Sequence, residues 1–313
     1  MGKGRMIAAL ACTVAVFAVS LLSSCSAGST EKSAHDIFVV GGAGTILHYN
    51  GTTWSLMNSG FQKNLMAIWG SSSHDVFAVG WDGAILHYNG RTWSSMTSGT
   101  TDVLQAVWGS SPHDVFAIGD RGVILHYNGI TWSKMNSNTF TSLCGVWGGS
   151  SADIFTVGDR ATVLRYDGKS WSVMQSSTLD DINNGYDAAF VENSLYGIWG
   201  SSSSDLFAVG GAGVLHYDGS AWSFMQSTWP SLLGVWGSSS SDVYAVGYDG
   251  LITHYTGNTW SRMESGTKGH LWCIWGDSAK DVFAVGEDGN ILHYDGNSWR
   301  NMSSDTQVFL YGI

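Results

Sequence analysis

Short apolar runs separated by Gly, Ser, Asn and Asp recur along almost the whole chain. Between residues 65 and 96 they read LMAIWG, DVFAVG, AILHYNG and RTWSSM, with Ser-rich, Gly- and Asp-rich and Asn-Gly punctuation between them. Runs of this length, rich in β-branched and aromatic residues, are typical of β-strands, and Asn-Gly is typical of a tight hairpin turn. The pattern therefore predicts a unit of four antiparallel strands joined by short turns.

This unit recurs with a regular period. The Gly that ends each DVFAVG-like run stands at Gly41, Gly80, Gly119, Gly158, Gly210, Gly247 and Gly286. The intervals are 39, 39, 39, 52, 37 and 39 residues, which leave no room for a helix beside four strands. Four-stranded units of roughly 40 residues are typical of a β-propeller. The sequence thus predicts an all-β fold, a seven-bladed β-propeller of four-stranded antiparallel blades over residues 34–313.

The two ends of the repeated region complement each other. The first unit starts at AHDIFVVGG and lacks its first strand, whereas the last residues, FLYGI, match that strand alone. We expect the C-terminal strand to pair into the N-terminal blade and close the ring. A linear solenoid would need atypical capping units, which the sequence lacks.

The N-terminal residues, MGKGRMIAALACTVAVFAVSLLSSC, combine a basic start with a short apolar stretch. This pattern is typical of a secretory signal rather than a membrane span. Leu22 to Cys25 resembles the bacterial lipobox, in which the Cys is acylated. We therefore predict a signal peptide over 1–24, a lipid on Cys25 and a linker over 25–33. The resemblance implies an exported protein on a bacterial membrane, and Ser26 favours the outer membrane, at its periplasmic face or at the cell surface.

The charge balance restricts the partners. The formal net charge of -11 disfavours nucleic acid and anionic lipid surfaces, so we expect membrane attachment only through the lipid. Two cysteines of the repeats, Cys144 and Cys273, lie in distant units and are predicted to be buried free thiols. No Cys and His spacing indicates a metal site, and a monomer is expected.

The hairpin between the third and fourth strands, GTILHYNGTTW and its copies, carries a family resemblance. It resembles the Asp-box or BNR repeat of sialidase-like and photosystem-assembly-factor-like propellers, with Asn-Gly or Asp-Gly where those repeats have a spaced Asp-x-Gly. Units such as WGSSSSDLFAVG are also similar to the WGSSSSDVFAVG repeat proteins of bacterial surfaces. The resemblance implies the fold, but no particular activity, because unrelated functions share this repeat.

Residues that recur in every unit are assigned to the scaffold. Thirteen Trp are expected to fill the core between blades: Trp54, Trp69, Trp93, Trp108, Trp132, Trp147, Trp171, Trp199, Trp222, Trp236, Trp260, Trp275 and Trp299. The residues of the ILHY-like runs are expected to be structural, too far apart to share a metal: His48, His87, His126, Arg165, His216, His254 and His293. The recurring Asp before each DVFAVG-like run is expected to satisfy backbone groups of the Ser-rich turn.

The residues that remain map to one face, where the second-to-third turns and the connections between blades emerge. This variable face also carries the long insertion, 177–193, between blades 4 and 5. Variation on one face of a uniform scaffold is typical of a binding surface. The candidate ligand-binding residues are Trp81, Arg121, Arg160, Trp229, Tyr248 and Trp272.

These candidates suggest a specific geometry for an acidic sugar. Trp81 would stack on the ring while Arg121 and Arg160 hold the carboxylate. In the alternative, each Arg pairs with its neighbouring acid, Asp120 or Asp159, as a surface charge.

The insertion also contains oxygen-bearing side chains at EF-hand-like spacing: Asp181, Asn183, Asp187 and Glu192. Tyr186 stands where an EF-hand has Gly, and no flanking helices are predicted. We predict no cofactor, and calcium at these residues is the alternative.

Three classes of function are compatible with this pattern. The leading hypothesis is a lipid-anchored envelope propeller that binds carbohydrate, peptide or protein on the variable face without catalysis. A sialidase-like or other glycoside-processing enzyme is the first alternative, and a structural docking subunit of an envelope assembly is the second. The sialidase resemblance implies three clustered Arg, but only Arg121 and Arg160 map to this face, so no catalytic residue is predicted.

Overall fold

The chain folds as a closed ring of small sheets. The structure, a computed structural model, describes residues 36–175, 178–179, 193–211, 213–226 and 231–313. Within these ranges the strands form seven four-stranded antiparallel sheets, which confirms the predicted all-β, seven-bladed β-propeller. None of the described helices is both long and apolar enough to cross a membrane. The predicted signal peptide, Cys25 and the linker 25–33 lie outside the described residues.

The strands are numbered in chain order. Blade 1 contains β1 (Ile37–Gly41), β2 (Ile46–Tyr49), β3 (Trp54–Met57) and β28 (Leu310–Gly312). Blade 2 contains β4 (Leu65–Ser72), β5 (Asp75–Gly80), β6 (Ile85–Tyr88) and β7 (Trp93–Met96). Blade 3 contains β8 (Leu104–Ser111), β9 (Asp114–Gly119), β10 (Ile124–Tyr127) and β11 (Trp132–Met135). Blade 4 contains β12 (Leu143–Ser150), β13 (Asp153–Gly158), β14 (Thr162–Tyr166) and β15 (Trp171–Val173).

The remaining blades repeat this order. Blade 5 contains β16 (Leu195–Ser202), β17 (Asp205–Gly210), β18 (Gly213–Tyr217) and β19 (Trp222–Gln226). Blade 6 contains β20 (Leu232–Ser239), β21 (Asp242–Gly247), β22 (Ile252–Tyr255) and β23 (Trp260–Met263). Blade 7 contains β24 (Leu271–Ser278), β25 (Asp281–Gly286), β26 (Ile291–Tyr294) and β27 (Trp299–Met302). Short 3-10 turns follow the second strand in five blades: Gly42–Gly44, Trp81–Gly83, Asp120–Gly122, Tyr248–Gly250 and Glu287–Gly289.

One strand of each blade lies at the centre of the ring. The strands β4, β8, β12, β16, β20 and β24 contact one another in sequence, and β28 contacts both β24 and β4. The second strand of each blade has apolar side chains on both faces, and β5, for example, is buried from Val76 to Gly80. This double-sided burial arises because each blade is packed between two others.

The last strand closes the ring as the sequence predicts. β28 pairs antiparallel with β1, placing Val40 opposite Gly312 and Gly41 opposite Leu310. The side chains of Leu310 and Ile313 are fully buried. Tyr311, between them, is only half-buried because it faces the centre of the ring.

Aromatic side chains join successive blades. The Phe77 ring of blade 2 meets the edge of Trp132 in blade 3, with centroids 6.1 Å apart and planes at 79°. Tyr127 of blade 3 is 5.6 Å from the same ring. The six first-strand Trp are buried, whereas four of the fourth-strand Trp are only partly buried: Trp54, Trp93, Trp132 and Trp260. The predicted role of the repeated Trp in packing is confirmed.

The repeated His residues have a structural partner in the same blade. The Nε2 atom of His87 is 2.7 Å from Asp75 Oδ1, and its ring lies 4.5 Å from the Phe77 ring. Ser71 Oγ donates to the second oxygen of Asp75, at 2.5 Å. The sequence correctly predicts a structural His. The sequence does not predict the partner of this His. The repeated Asp was expected to accept from backbone groups of the turn, but its carboxylate binds the His and Ser side chains.

A metal role for these residues finds no support in the geometry. In the described ranges no three His, Cys, Asp or Glu side chains are grouped as a metal ion would require. In blade 4 Arg165 replaces the His, and its Nε donates to Asp153 Oδ1 at 2.8 Å. Because Arg does not ligate metals and fills the same place, the position requires a hydrogen-bond donor.

Candidate functional site at the mouth of the central channel

The second residue of the innermost strand varies among the blades, with six residue types in seven blades. The preceding Leu is fully buried, for example Leu65 and Leu271. Each innermost strand has a register shift between this Leu and the second residue after it, for example between Leu65 and Ala67, and the residue in this bulge lines the channel. The seven residues at this position are Met66, Gln105, Cys144, Tyr196, Leu233, Trp272 and Tyr311, and all of them line one cavity of about 420 Å³.

The second-to-third turns complete this cavity, called here the channel mouth. Its lining also includes Asp120, Asp159 and Tyr248, each the first residue of such a turn, together with Ser142. The second turn residue adopts a left-handed conformation, as at Arg121 with φ 53°, and is exposed. In blades 3, 4 and 6 the turn therefore places its first side chain in the channel mouth and its second side chain outside it, whereas Trp81, at the first position in blade 2, lies outside this lining.

Glycine at the third turn position lets the next connection pack closely. Gly122 has φ +71°, and a Cβ there would lie 2.2 Å from the carbonyl oxygen of Thr139. The repeated Gly is thus required by both conformation and space.

One side of the channel mouth is aromatic. The rings of Tyr248 and Trp272 are 6.4 Å apart at 83°, and those of Trp272 and Tyr311 are 6.0 Å apart at 63°. His270 packs on Tyr248, with ring centroids 4.6 Å apart. The cluster therefore extends continuously over blades 6, 7 and 1.

An acidic group lies beside this aromatic cluster. Glu287 Oε2 accepts a hydrogen bond from the backbone N–H of His270 at 2.9 Å. Burial, and then the nearby Glu287 carboxylate, raise the pKa of the Tyr311 hydroxyl. Tyr311 is therefore a neutral hydroxyl at physiological pH.

The opposite side of the channel mouth is polar and acidic. Gln105 Nε2 donates to Asp120 Oδ1 at 3.0 Å, and Ser194 Oγ donates to Asp159 Oδ1 at 2.9 Å. Burial, followed by the Asp159 and Asp120 carboxylates, raises the pKa of the Cys144 thiol to about 12. A thiol with such a pKa stays protonated and is a poor nucleophile.

The predicted state of the two cysteines is confirmed in part. Cys144 and Cys273 are both free thiols, and Cys273 is buried. Cys144 was expected to be buried as well, but it is partly exposed because its strand position faces the channel mouth.

The structure brings together only some of the predicted site residues. Tyr248 and Trp272 both line the channel mouth. Trp81, which is 46% exposed, lies in the turn of blade 2 and outside this lining. Trp229 and the calcium candidates Asp181, Asn183, Asp187 and Glu192 lie outside the described residues, so their roles stay predictions.

The two predicted arginines lie on the outside of their turns. Arg121 and Arg160 occupy the second turn position and are exposed. Arg121 Nη1 is 3.1 Å from Asp102 Oδ1, in the connection between blades 2 and 3. A surface ion pair was the alternative interpretation of this Arg, and its partner is Asp102 where the sequence suggested Asp120.

Sequence reasoning missed most of the channel mouth. Five of its inner-strand residues belong to no predicted motif, because they fall at the first variable position of L-x-x-[IV]-W-G: Met66, Gln105, Cys144, Tyr196 and Leu233. The pattern that could have found them is that this position holds six residue types in seven units while the Leu before it never changes.

A larger groove of about 700 Å³ lies on blade 2 and is lined by Phe61, Asp82 and Met96, among others. Part of its wall is the stretch Ser98 to Thr100, which recurs as Ser265 to Thr267. The carboxylate that lines the groove, that of Asp82, forms an ion pair with Lys63. The groove follows from the repeated scaffold and is a weaker candidate than the channel mouth.

Seven closed blades around an individually lined channel define the class of protein, a seven-bladed β-propeller. No protein-family model matches the chain, and no curated protein matches its sequence. A solved structure of YCF48 bound to D1 peptide has a TM-score of 0.65 and 15% identity, covering 84% of this chain and 90% of that one. YCF48 from Cyanidioschyzon merolae has a TM-score of 0.59 and 14% identity, covering 75% of this chain and 83% of that one.

A propeller of another kind shares the architecture. The C-terminal WD40 domain of Sif2 has a TM-score of 0.58 and 10% identity, covering 88% of this chain and 84% of that one. At these identities the likenesses show the fold. At that level they support the predicted resemblance to photosystem-assembly-factor-like propellers.

Proposed function

We propose that the protein is a non-catalytic binding module that holds a peptide or protein segment at the channel mouth. The observation that carries the proposal is the variation at one position of otherwise repeated strands, where six residue types stand in seven blades and all seven side chains line one cavity. A scaffold does not require this variation, whereas a ligand with a shape and a polarity of its own does. Partly exposed Trp and Tyr in such a cavity are also among the residues that most often dominate binding energy.

Comparison with the solved propellers favours a peptide over other ligands. The YCF48 structure with the higher TM-score is bound to D1 peptide, so a propeller of similar architecture binds a peptide. Carbohydrate is the second candidate, because Trp272 and Tyr311 present aromatic rings to the cavity and sugars stack on such surfaces.

The position of the arginines argues against a sialidase-like activity. Recognition of a substrate carboxylate would require clustered Arg, yet no Arg is among the residues that the structure shows lining the channel mouth. Arg121 and Arg160 instead lie in exposed turns.

We further propose that the propeller is held at the bacterial envelope, with its N-terminal lipid on Cys25 in the outer membrane. Support comes from the basic and apolar leader and its lipobox-like end. In this arrangement the lipid provides attachment and the channel mouth provides recognition.

The test compares residues inside and outside the channel mouth. Partners would be captured from envelope fractions by crosslinking, glycans would be screened in parallel, and the affinity of each purified hit would be measured by calorimetry. Trp272→Ala and Tyr248→Ala should each weaken binding by about thirtyfold or more, as expected for anchor residues worth about 2 kcal/mol or more. Trp81→Ala, an exposed aromatic on the same face, is the matched control and should bind normally.

The opposite pattern would overturn the proposal. If Trp81→Ala, Arg121→Ala and Arg160→Ala lose binding while Trp272→Ala and Tyr248→Ala retain it, the site lies on the exposed turns. Circular dichroism of each variant confirms that the propeller is intact.

A further inference from the structure

The described lining of the channel mouth has an uneven charge. It contains two carboxylates, Asp120 and Asp159, and neither Arg, Lys nor His. The two acids stand at equivalent positions of neighbouring blades 3 and 4. The aromatic cluster of Tyr248, Trp272 and Tyr311 lies in blades 6, 7 and 1, across the channel.

The hydrogen bonds of the two acids leave acceptor capacity unused. Asp120 accepts from the amide of Gln105 and Asp159 from the hydroxyl of Ser194, both of which are neutral donors. An ionised carboxylate has about four lone-pair sites, so one such donor does not saturate it. The remaining sites are available to a donor inside the cavity.

Both sides of the cavity attract the same kind of group. Two neighbouring carboxylates in a partly enclosed space favour a cation, because water screens their charge less than at an open surface. Aromatic faces also attract cations, and more strongly when the cation is desolvated. The net charge of -11 adds a general attraction for basic partners.

We infer that the channel mouth receives a basic peptide segment, with a Lys or Arg side chain inserted toward Asp120 and Asp159 and the neighbouring residues packed on Trp272 and Tyr311. This inference rests on the proposed function, since it names the partner of that site. The cavity of about 420 Å³ is within the roughly 300–1,000 Å³ typical of ligand pockets.

The test uses defined peptides and the purified full-length protein. Acetylated and amidated Ser-Leu-Lys-Leu-Ser, whose Leu residues can pack on the aromatic cluster, is compared by calorimetry with versions in which norleucine or Glu replaces the Lys. Norleucine keeps the aliphatic stem and removes the charge. The Lys peptide should bind at least about tenfold more tightly than either, which corresponds to roughly 1.4 kcal/mol. Its affinity should fall with added salt.

A pair of double variants locates the charge. Asp120→Asn with Asp159→Asn should remove the tenfold preference for Lys. Asp249→Asn with Asp288→Asn is the matched control, because it removes two carboxylates from exposed turn positions of the same face, outside the cavity. The control should keep the preference.

Three results would overturn the inference: no detectable binding of the Lys peptide, equal binding of the Lys and norleucine peptides, or an equal loss in both double variants. The proposed function is tested separately. If the peptides bind equally and Trp272→Ala weakens all of them, the channel mouth is the binding site and only the cation assignment is wrong.

Discussion

The imidazole of His87 and the carboxylate of Asp75 are joined at 2.7 Å across two paired strands of blade 2. The same His–Asp contact occurs at 2.6 to 2.8 Å in blades 1, 3, 5, 6 and 7. The Asp stands at the start of the second strand, whereas the channel mouth lies at that strand's far end. Changes at these pairs should therefore alter stability without altering binding.

Asp75→Ala should destabilise the propeller by about 1–3 kcal/mol, because His87 and Ser71 both lose a partly buried partner. His87→Arg should reduce the free energy of unfolding much less, since Arg165 makes the equivalent bond in blade 4. Urea unfolding followed by Trp fluorescence measures both. Equal losses in the two variants would show that the position requires an imidazole.

Acid should destabilise the hairpins between the third and fourth strands whose turn begins with Asp. Asp218 accepts from the Ser220 hydroxyl and from the backbone N–H groups of Ala221 and Ser220, which lowers its pKa to about 2 from 3.8. A carboxyl whose pKa is lower in the folded state stabilises the fold above pH 3.8 and loses this contribution as the pH falls toward 2.

Asparagine makes the same turn without the titration. In blade 2 Asn89 Oδ1 accepts from the backbone N–H groups of Arg91 and Thr92 at 3.0 Å. Asp218→Asn should therefore make the melting temperature depend less steeply on pH between about pH 4 and pH 2, the window set by the pKa values of the unfolded and folded states. An unchanged slope would mean that other carboxyls determine the acid response.

Ring closure should dominate stability. Leu310→Ala removes a fully buried side chain from β28 and should cost about 2–5 kcal/mol, out of the 5–15 typical of a whole domain. Tyr311→Ala, one residue along, should cost less because its side chain faces the channel mouth. Removal of residues 307–313 should expose the edge of β1 and cause aggregation. A melting temperature unaffected by that removal would contradict closure through β28.

Blade 4 carries a strained turn that a single change should relieve. Ala161 has φ 46°, whereas the corresponding residues Gly83 and Gly122 have φ 66° and 71°. Ala161→Gly should stabilise the fold by about 0.5–1 kcal/mol, because the left-handed penalty exceeds the entropy cost of Gly. Gly122→Ala, the reciprocal control, should destabilise it through the contact with Thr139. Chemical denaturation of both variants tests the pair.

Membrane attachment is predicted to depend on one thiol. Cys25→Ser should move the protein from the membrane fraction to the soluble fraction, whereas Cys144→Ser should leave it bound. With lipid on Cys25, the linker over residues 26–33 would reach no more than about 28 Å, at about 3.5 Å per residue, so the propeller would lie close to the bilayer. Membrane retention of the Cys25→Ser protein would refute the anchor.

The repeated part of this protein follows from its sequence alone. Strand, turn and hairpin patterns recur every 37 to 52 residues, so one unit gives the four-stranded blade and the count gives seven of them. Closure was also predictable, because the first unit lacks the one strand that the last residues provide. The blades depend on local patterns and on hairpins between neighbouring strands, whereas closure pairs strands from the two ends of the repeated region and was predictable because those ends complement each other.

The channel mouth was decided by the tertiary structure. Met66, Gln105 and Leu233 stand at positions that the sequence analysis did not single out, and about 170 residues separate the first from the last. They line one cavity only because the closed ring places the second residue of every innermost strand around a common axis. Arg121 and Arg160, by contrast, stand out in the sequence but face solvent, because both occupy the left-handed second position of their turns, and position in the turn rather than residue type decides this.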